Sequence, residues 1–204
     1  MRLALVALLL FAPAAVHANE TCDPREAEEL RAHLTDASRR ADKWNFAWRL
    51  TFTSASVVTL GVAAWNPVPD LRDGLYVSSG KAAIGALARW VLPLNIDVPE
   101  PDADTCADVA ALRKAVTKAG KRERDLFWTG HIGGILVNLG GAGILWYRDS
   151  FGNALLSIAV GYPVGLLSNY TMPRSSWKLA RERNWTVAAL PTHDGYLVTL
   201  GGTF

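Results

Sequence analysis

The sequence predicts a mainly α-helical protein, in which four apolar helices form a membrane-type bundle, a polar helix precedes them and a β-hairpin ends the chain. Two observations carry this prediction. The apolar stretches at residues 46–65, 75–94, 126–147 and 151–170 each have about 20 residues, the length with which a helix crosses a bilayer. Amphipathic aromatic residues, which prefer the level of the lipid head groups, lie near the ends of these stretches. They are Trp44, Trp48, Trp65, Trp90, Trp128, Trp146 and Tyr147. Tryptophans in the core of a soluble helical bundle are the alternative explanation.

The first 18 residues predict a secretory signal peptide. Arg2 supplies the positive start, residues 3–11 form a continuous apolar run, and Val16 and Ala18 place small residues before the expected cleavage site. Cleavage after Ala18 leaves residues 19–204 as a single domain. The protein is therefore expected to be exported, to a cell membrane or an outer membrane with a periplasmic or extracellular face.

A polar helix is predicted over residues 20–43. Asp23 and Pro24 suit its first turn, because Asp caps helices and Pro is tolerated at their first position. The chain has two cysteines, Cys22 and Cys106, and an even pair in an exported protein predicts a disulfide. The bond would close a loop that contributes about 4 kcal/mol of stability in the chain-entropy model.

The two C-terminal apolar stretches are rich in small residues that recur on one helix face, a pattern that lets membrane helices approach closely. We expect these faces to pack against each other through Gly134, Gly141, Ser157, Gly161 and Gly165. Polar groups within membrane helices are costly and mark candidate functional sites. The candidate polar site within the membrane consists of His131, Asn138, Lys81, Arg89 and Tyr162.

The C-terminal residues alternate between apolar and other side chains. This pattern predicts a hairpin over residues 185–203, with its turn at Asp194 and Gly195. The terminal Phe204, with alternating apolar residues upstream, resembles the final strand of bacterial outer-membrane barrel proteins. An outer-membrane β-barrel is therefore the alternative fold. A barrel needs at least eight alternating strands, and the sequence offers at most three or four.

Four helical spans conflict with the charge distribution. With the N-terminus of the mature chain exported, residues 19–45, 96–125 and 171–204 lie outside and hold 15 Lys and Arg residues. Only Arg72 and Arg148 lie on the opposite side. The positive-inside rule expects the reverse. Either some stretches do not span, or the destination is not an ordinary inner membrane.

The sequence contains no Ser-His-Asp set, no Gly-rich phosphate loop and no metal-ligand cluster. We therefore predict no catalytic residue, no metal and no cofactor, and expect a non-enzymatic structural or partner-binding envelope component. The alternative is a small transporter or membrane enzyme that uses His131 and Asn138. The expected partner is the lipid bilayer, with anionic lipid or polymer at the basic segments 107–124 and 177–183. A net charge of +2 is too small to indicate nucleic acid, and the sequence identifies no protein partner.

Overall fold

The computed structural model describes residues 22–183, 185–192 and 195–202. These residues are mainly helical, which confirms the predicted class. The predicted signal peptide lies outside the described residues. The helices are α1 (Pro24–Trp65), α2 (Pro69–Val91), α3 (Thr105–Arg148), α4 (Phe151–Tyr170) and α5 (Ser175–Arg183), and the strands are β1 (Trp185–Thr192) and β2 (Gly195–Gly202).

Helix α1 joins the predicted polar helix and the first apolar stretch. The side chain of Asp23 caps it by accepting a hydrogen bond from the Arg25 N–H at 2.9 Å. No Pro or Gly interrupts the junction, where Trp44 and Asn45 are buried, so the helix continues for 42 residues, about 63 Å. It ends at Trp65, because the following Asn66 precedes a proline.

Helix α3 likewise joins the basic segment 107–124 and the apolar stretch 126–147 in one helix of 44 residues. Asp104 caps its start and Arg148 ends it. Helix α4 matches the predicted stretch 151–170, and Ser150 caps it by accepting from the Asn153 N–H at 3.2 Å. Thus α3 and α4 form a helical hairpin, with a connection of two residues.

The polar segments pack together into a unit that we call the headpiece, residues 22–45, 92–125 and 171–183. Its core includes apolar side chains that are at most 2% exposed, such as Leu30, Leu34, Leu94, Leu112 and Val116. Cys22 and Cys106 form a disulfide with a Cα–Cα distance of 5.1 Å. This confirms the predicted bond, which ties the start of α1 to the start of α3.

The remaining helical residues, 46–91 and 126–170, form the apolar bundle, whose hydrophobic side chains point outward. Among residues 22–181, all exposed large hydrophobic side chains except Leu92 and Val98 lie in this bundle. Helices α1 and α4 are long and apolar enough to cross a membrane. Only 6% and 17% of their most apolar windows are buried, whereas the core helix of a soluble protein is mostly buried. Tryptophans of the bundle such as Trp65, Trp90 and Trp146 are exposed as well.

Strands β1 and β2 pair antiparallel, from Trp185 opposite Gly202 to Thr192 opposite Gly195. Residues 193 and 194 lie outside the described residues, so the turn of the hairpin remains a prediction. The other regular elements of the described ranges are helices, and the stretch that alternates from Trp44 to Phe52 lies inside α1. The alternative of an outer-membrane β-barrel is therefore wrong for the described residues. Trp44 and Trp48 both pack against the headpiece core. They are four residues apart, a spacing that places them on one face of a helix as well as on one face of a strand.

Candidate ligand site inside the apolar bundle

A cavity of about 350 Å³ lies inside the apolar bundle and is lined by α1, α2, α3 and α4. Most of its lining is apolar or small, from residues such as Phe52, Ile84, Val137, Val160 and Val164. Two basic residues of α2, Lys81 and Arg89, also line it. They are eight residues apart and therefore about 12 Å apart along the helix axis. The cavity thus combines an apolar body with two cations.

Lys81 is held at the centre of the bundle by three neutral acceptors. Its Nζ donates to Ser157 Oγ at 2.7 Å, to the Ser157 carbonyl at 2.8 Å and to Asn138 Oδ1 at 3.3 Å. An ammonium group has three N–H donors, so this set uses all of them. Asn138 is oriented in turn by donating its Nδ2–H to the Gly134 carbonyl at 2.8 Å.

Arg89 lies where the bundle meets the headpiece, close to the end of α2, and is 9% exposed. Its Nη2 donates to Ser168 Oγ at 3.0 Å and to Asn169 Oδ1 at 3.5 Å. The guanidinium carbon lies 4.4 Å from the ring centroid of Trp44, a cation–π contact. A guanidinium group carries five N–H donors, so Nε and Nη1 remain available beside the cavity.

Within the described residues, no Asp or Glu lines this cavity and no carboxylate forms an ion pair with Lys81 or Arg89. Their hydrogen-bond acceptors are hydroxyl, amide and carbonyl oxygens. A charge inside a protein is costly unless an opposite charge compensates it. The interior of the bundle is therefore suited to an anion.

His131 belongs to a second cluster of polar residues, which is connected to Arg89 through Asn169. His131 Nδ1 lies 3.2 Å from Asn169 Nδ2 and 3.2 Å from the Phe127 carbonyl oxygen. Its ring packs against Phe127 and Tyr170, with centroids 4.4 and 5.5 Å away. Of the predicted polar set, the structure thus joins Lys81 to Asn138 and Arg89 to His131. The half-buried Tyr162 lies on α4, outside the lining of the cavity.

The small residues divide between packing positions and cavity positions. A Cβ at Gly161 would lie 2.4 Å from Asn138 Oδ1 and 2.7 Å from Lys81 Nζ, and one at Gly141 would lie 2.8 Å from Lys81 Cδ. These two glycines therefore make room for the lysine and its amide partner. A Cβ at Gly134 or Gly165 would meet nothing within 4 Å, and both glycines line the cavity.

Ser168, Asn169 and Gly130 complete the Arg89 end, and sequence reasoning missed all three. A Cβ at Gly130 would lie 2.2 Å from Asn169 Oδ1, so only glycine admits this amide. The sequence signal that could have identified them is the pair of consecutive polar residues, Ser168 and Asn169, at the end of the most apolar stretch. A buried arginine in another helix requires hydrogen-bond acceptors, and these two residues supply them.

No protein family model, curated protein or solved structure matches this chain.

Proposed function

We propose that the protein is an exported integral membrane protein, whose apolar bundle crosses a bilayer with four segments and whose headpiece lies on the exported side. We further propose that it acts as a non-enzymatic component of the cell envelope. One observation carries the proposal: within residues 22–181, the exposed large hydrophobic side chains are confined to the bundle, apart from Leu92 and Val98, whereas the headpiece has a buried apolar core. An exposed apolar surface of this extent is unstable in water and stable in lipid.

The dimensions of the bundle support this proposal. The hydrocarbon core of a bilayer is about 30 Å thick, which matches a helix of about 20 residues. Helix α4 has 20 residues and α2 has 23. Helices α1 and α3 are longer because their first halves belong to the headpiece. At the end of the bundle that is far from the headpiece, Arg148 Nε pairs with Asp73 Oδ2 at 3.4 Å, as expected for a surface that returns to water.

The disulfide supports the orientation. Disulfides persist in oxidising compartments outside the cytosol, so the headpiece that contains Cys22 and Cys106 belongs on the exported side. The positive-inside rule favours the opposite orientation, but it is a statistical bias on insertion, whereas the bond requires an oxidising compartment. Several headpiece cations are also paired with carboxylates, as in Arg31–Asp108 at 2.6 Å.

The exposed basic side chains of the headpiece support contact with an anionic lipid surface or polymer. Lys114 and Lys121 project from the headpiece part of α3 and are exposed. A few basic residues near a membrane add about 1 kcal/mol of attraction each to anionic lipid. This contact is weaker than insertion of the bundle and would adjust the position of the headpiece on the membrane.

Extraction of isolated membranes tests the proposal. We expect the protein to remain in the membrane pellet after washing with alkaline carbonate and with urea, and to be released only by detergent. Release by carbonate alone would contradict membrane insertion. Density separation of inner and outer membranes then identifies the destination.

A small transporter or membrane enzyme is the second candidate, because Asn138 and Lys81 lie together at the centre of the bundle. Ala substitution of His131 and of Asn138 separates the two candidates. Loss of the cellular phenotype at unchanged protein abundance favours a transporter or an enzyme. Loss of abundance alone favours a structural role.

A further inference from the structure

The cavity inside the bundle differs from an ordinary packing defect, because a strong hydrogen-bond donor with spare capacity lies at one end. Empty cavities in proteins are lined by apolar groups. Here Arg89 Nη2 is occupied by Ser168 and Asn169, and Nε–H and Nη1–H have no acceptor among the described residues. No fully buried side-chain nitrogen of the described residues lacks a partner, so Nε and Nη1 are not sealed from their surroundings, and Arg89 lines the cavity.

The arrangement specifies where an anionic group would bind. Lys81 has all three donors occupied, whereas Arg89 keeps the N–H groups of Nε and Nη1, which are charge-assisted donors for a carboxylate or phosphate oxygen. Arg89 also lies at the border between bundle and headpiece, where a head group remains near water. From there the apolar lining extends along α2 toward Lys81.

We propose that the cavity binds a single-chain amphiphile whose anionic head group accepts hydrogen bonds from Arg89 and whose apolar chain lies along α2 toward Lys81. The inference rests on the proposed function, because the surrounding bilayer supplies such molecules. The volume of about 350 Å³ lies at the lower end of the range for small-molecule sites, which suits one chain rather than the two of a phospholipid. An inorganic anion would leave the apolar lining unused, and a neutral lipid would leave the charge of Arg89 uncompensated.

Photo-crosslinking of the full chain tests this binding. The protein is placed in phosphatidylcholine vesicles, which carry no net charge, and is exposed to decanoic acid with a diazirine at the end of its chain. We expect labels on cavity-lining residues of α3 and α4 near Lys81 that are not on the outer surface of the bundle, such as Val137 and Gly161. The methyl ester of the same probe lacks the anion and should label these positions about tenfold less, because hydrogen bonds to charged groups are the strong ones. A second probe of equal chain length carries a phosphate head group. Stronger labelling by this probe than by the decanoic acid probe indicates a single-chain phospholipid, and weaker labelling indicates a fatty acid.

Matched variants make the test specific. R89Q should reduce cavity labelling about tenfold, whereas R72Q, which removes an exposed cation from the same helix, should not change it. Gly134→Leu fills the cavity without altering a charge and should abolish the labelling. Gly143→Leu is its control, because Gly143 is exposed, does not line the cavity and has open space within 4 Å of where a Cβ would lie.

The outcomes separate this inference from the proposed function. A chain that remains in the vesicles but is labelled equally in wild type, R89Q and Gly134→Leu overturns the binding site and leaves membrane insertion standing. Labels confined to residues on the outer surface of the bundle also overturn the binding site and leave membrane insertion standing. A chain that does not enter the vesicles overturns both. If R89Q does not fold, the comparison of Gly134→Leu with Gly143→Leu decides.

Discussion

Glu123 Oε2 accepts a hydrogen bond from the backbone N–H of Trp177 at 2.7 Å, and its Oε1 accepts one from that of Ser176 at 3.4 Å. The glutamate is fully buried in the headpiece, and the two N–H groups belong to the first turn of α5. A buried carboxylate of α3 therefore caps α5, whose N–H groups would otherwise lack acceptors. The close approach also requires Gly120, where a Cβ would lie 2.8 Å from the Ser176 carbonyl oxygen.

Glu123→Ala should lower the free energy of unfolding of the headpiece by about 3 kcal/mol, because it leaves two buried N–H groups without acceptors and opens a cavity. The control is Glu29→Ala, which removes an exposed glutamate of α1 and should change the stability by less than about 0.5 kcal/mol. Urea unfolding followed by near-UV circular dichroism measures both. Equal stabilities for the two variants would show that Glu123 does not hold α5.

The stability of the headpiece should also depend on the protonation of Glu123. Burial raises the pKa of this carboxyl above its usual 4.5, and the hydrogen bonds from Trp177 and Ser176 oppose that shift. The folded state therefore binds the proton more readily than the unfolded state, so this group's contribution to stability rises as pH falls through the raised pKa. Glu123→Gln leaves the neighbouring Arg40 and His33 unchanged, but its neutral amide cannot gain or lose a proton as the carboxyl does. Urea unfolding between neutral pH and pH of about 4.5 should show a rise in wild type that is smaller in the variant; parallel curves would contradict this.

The disulfide should contribute substantially to the stability of the headpiece. It closes a loop of 84 residues between Cys22 and Cys106, which corresponds to about 4 kcal/mol in the chain-entropy model. The double variant Cys22→Ala/Cys106→Ala should therefore unfold at a distinctly lower urea concentration. Alkylated wild-type protein should migrate differently on a gel with and without reductant. Equal migration would show that the bond does not form in the native protein.

Two glycines of α4 provide a matched pair for the packing around Lys81. Gly161→Ala places a methyl group 2.4 Å from Asn138 Oδ1 and 2.7 Å from Lys81 Nζ, so these two side-chain ends must move and their hydrogen bonds weaken, at a cost of about 1 kcal/mol. Gly165→Ala meets nothing within 4 Å and should be neutral or slightly stabilising, since Ala favours helix. Thermal unfolding in detergent compares the two variants. Equal melting temperatures would contradict the position of the lysine between these helices.

The sequence predicted local features well and long-range polar contacts poorly. The bounds of α4 follow from the hydropathy of its residues. The Cys22–Cys106 bond follows from the chemistry of two cysteines in an exported chain, and neither inference requires knowledge of how the helices pack. The continuity of α1 across Trp44 was missed because the change from polar to apolar composition suggested a boundary, although no helix-breaking residue lies there. The partners of Arg89 were also missed, because Ser168 and Asn169 are brought to it only by the packing of α2 against α4. Hydropathy indicates which segments are excluded from water, but it does not indicate which polar side chains contact each other in the folded protein.

The orientation of the bundle in the membrane is the central element of the proposed function. It places the disulfide-linked headpiece on the exported side and the short connection between α1 and α2 on the opposite side. The two native cysteines are bonded to each other, so one introduced cysteine provides a single reactive thiol. Suitable positions are Glu29, exposed in the headpiece, and Val68, which is 52% exposed between α1 and α2.

The most direct measurement is therefore the labelling of Glu29→Cys and Val68→Cys with a membrane-impermeant maleimide, before and after the membrane is permeabilised. We expect Glu29→Cys to react from the exported side of an intact membrane and Val68→Cys to react only after permeabilisation. Reaction of both thiols from the same side of an intact membrane would contradict a bundle that crosses the bilayer.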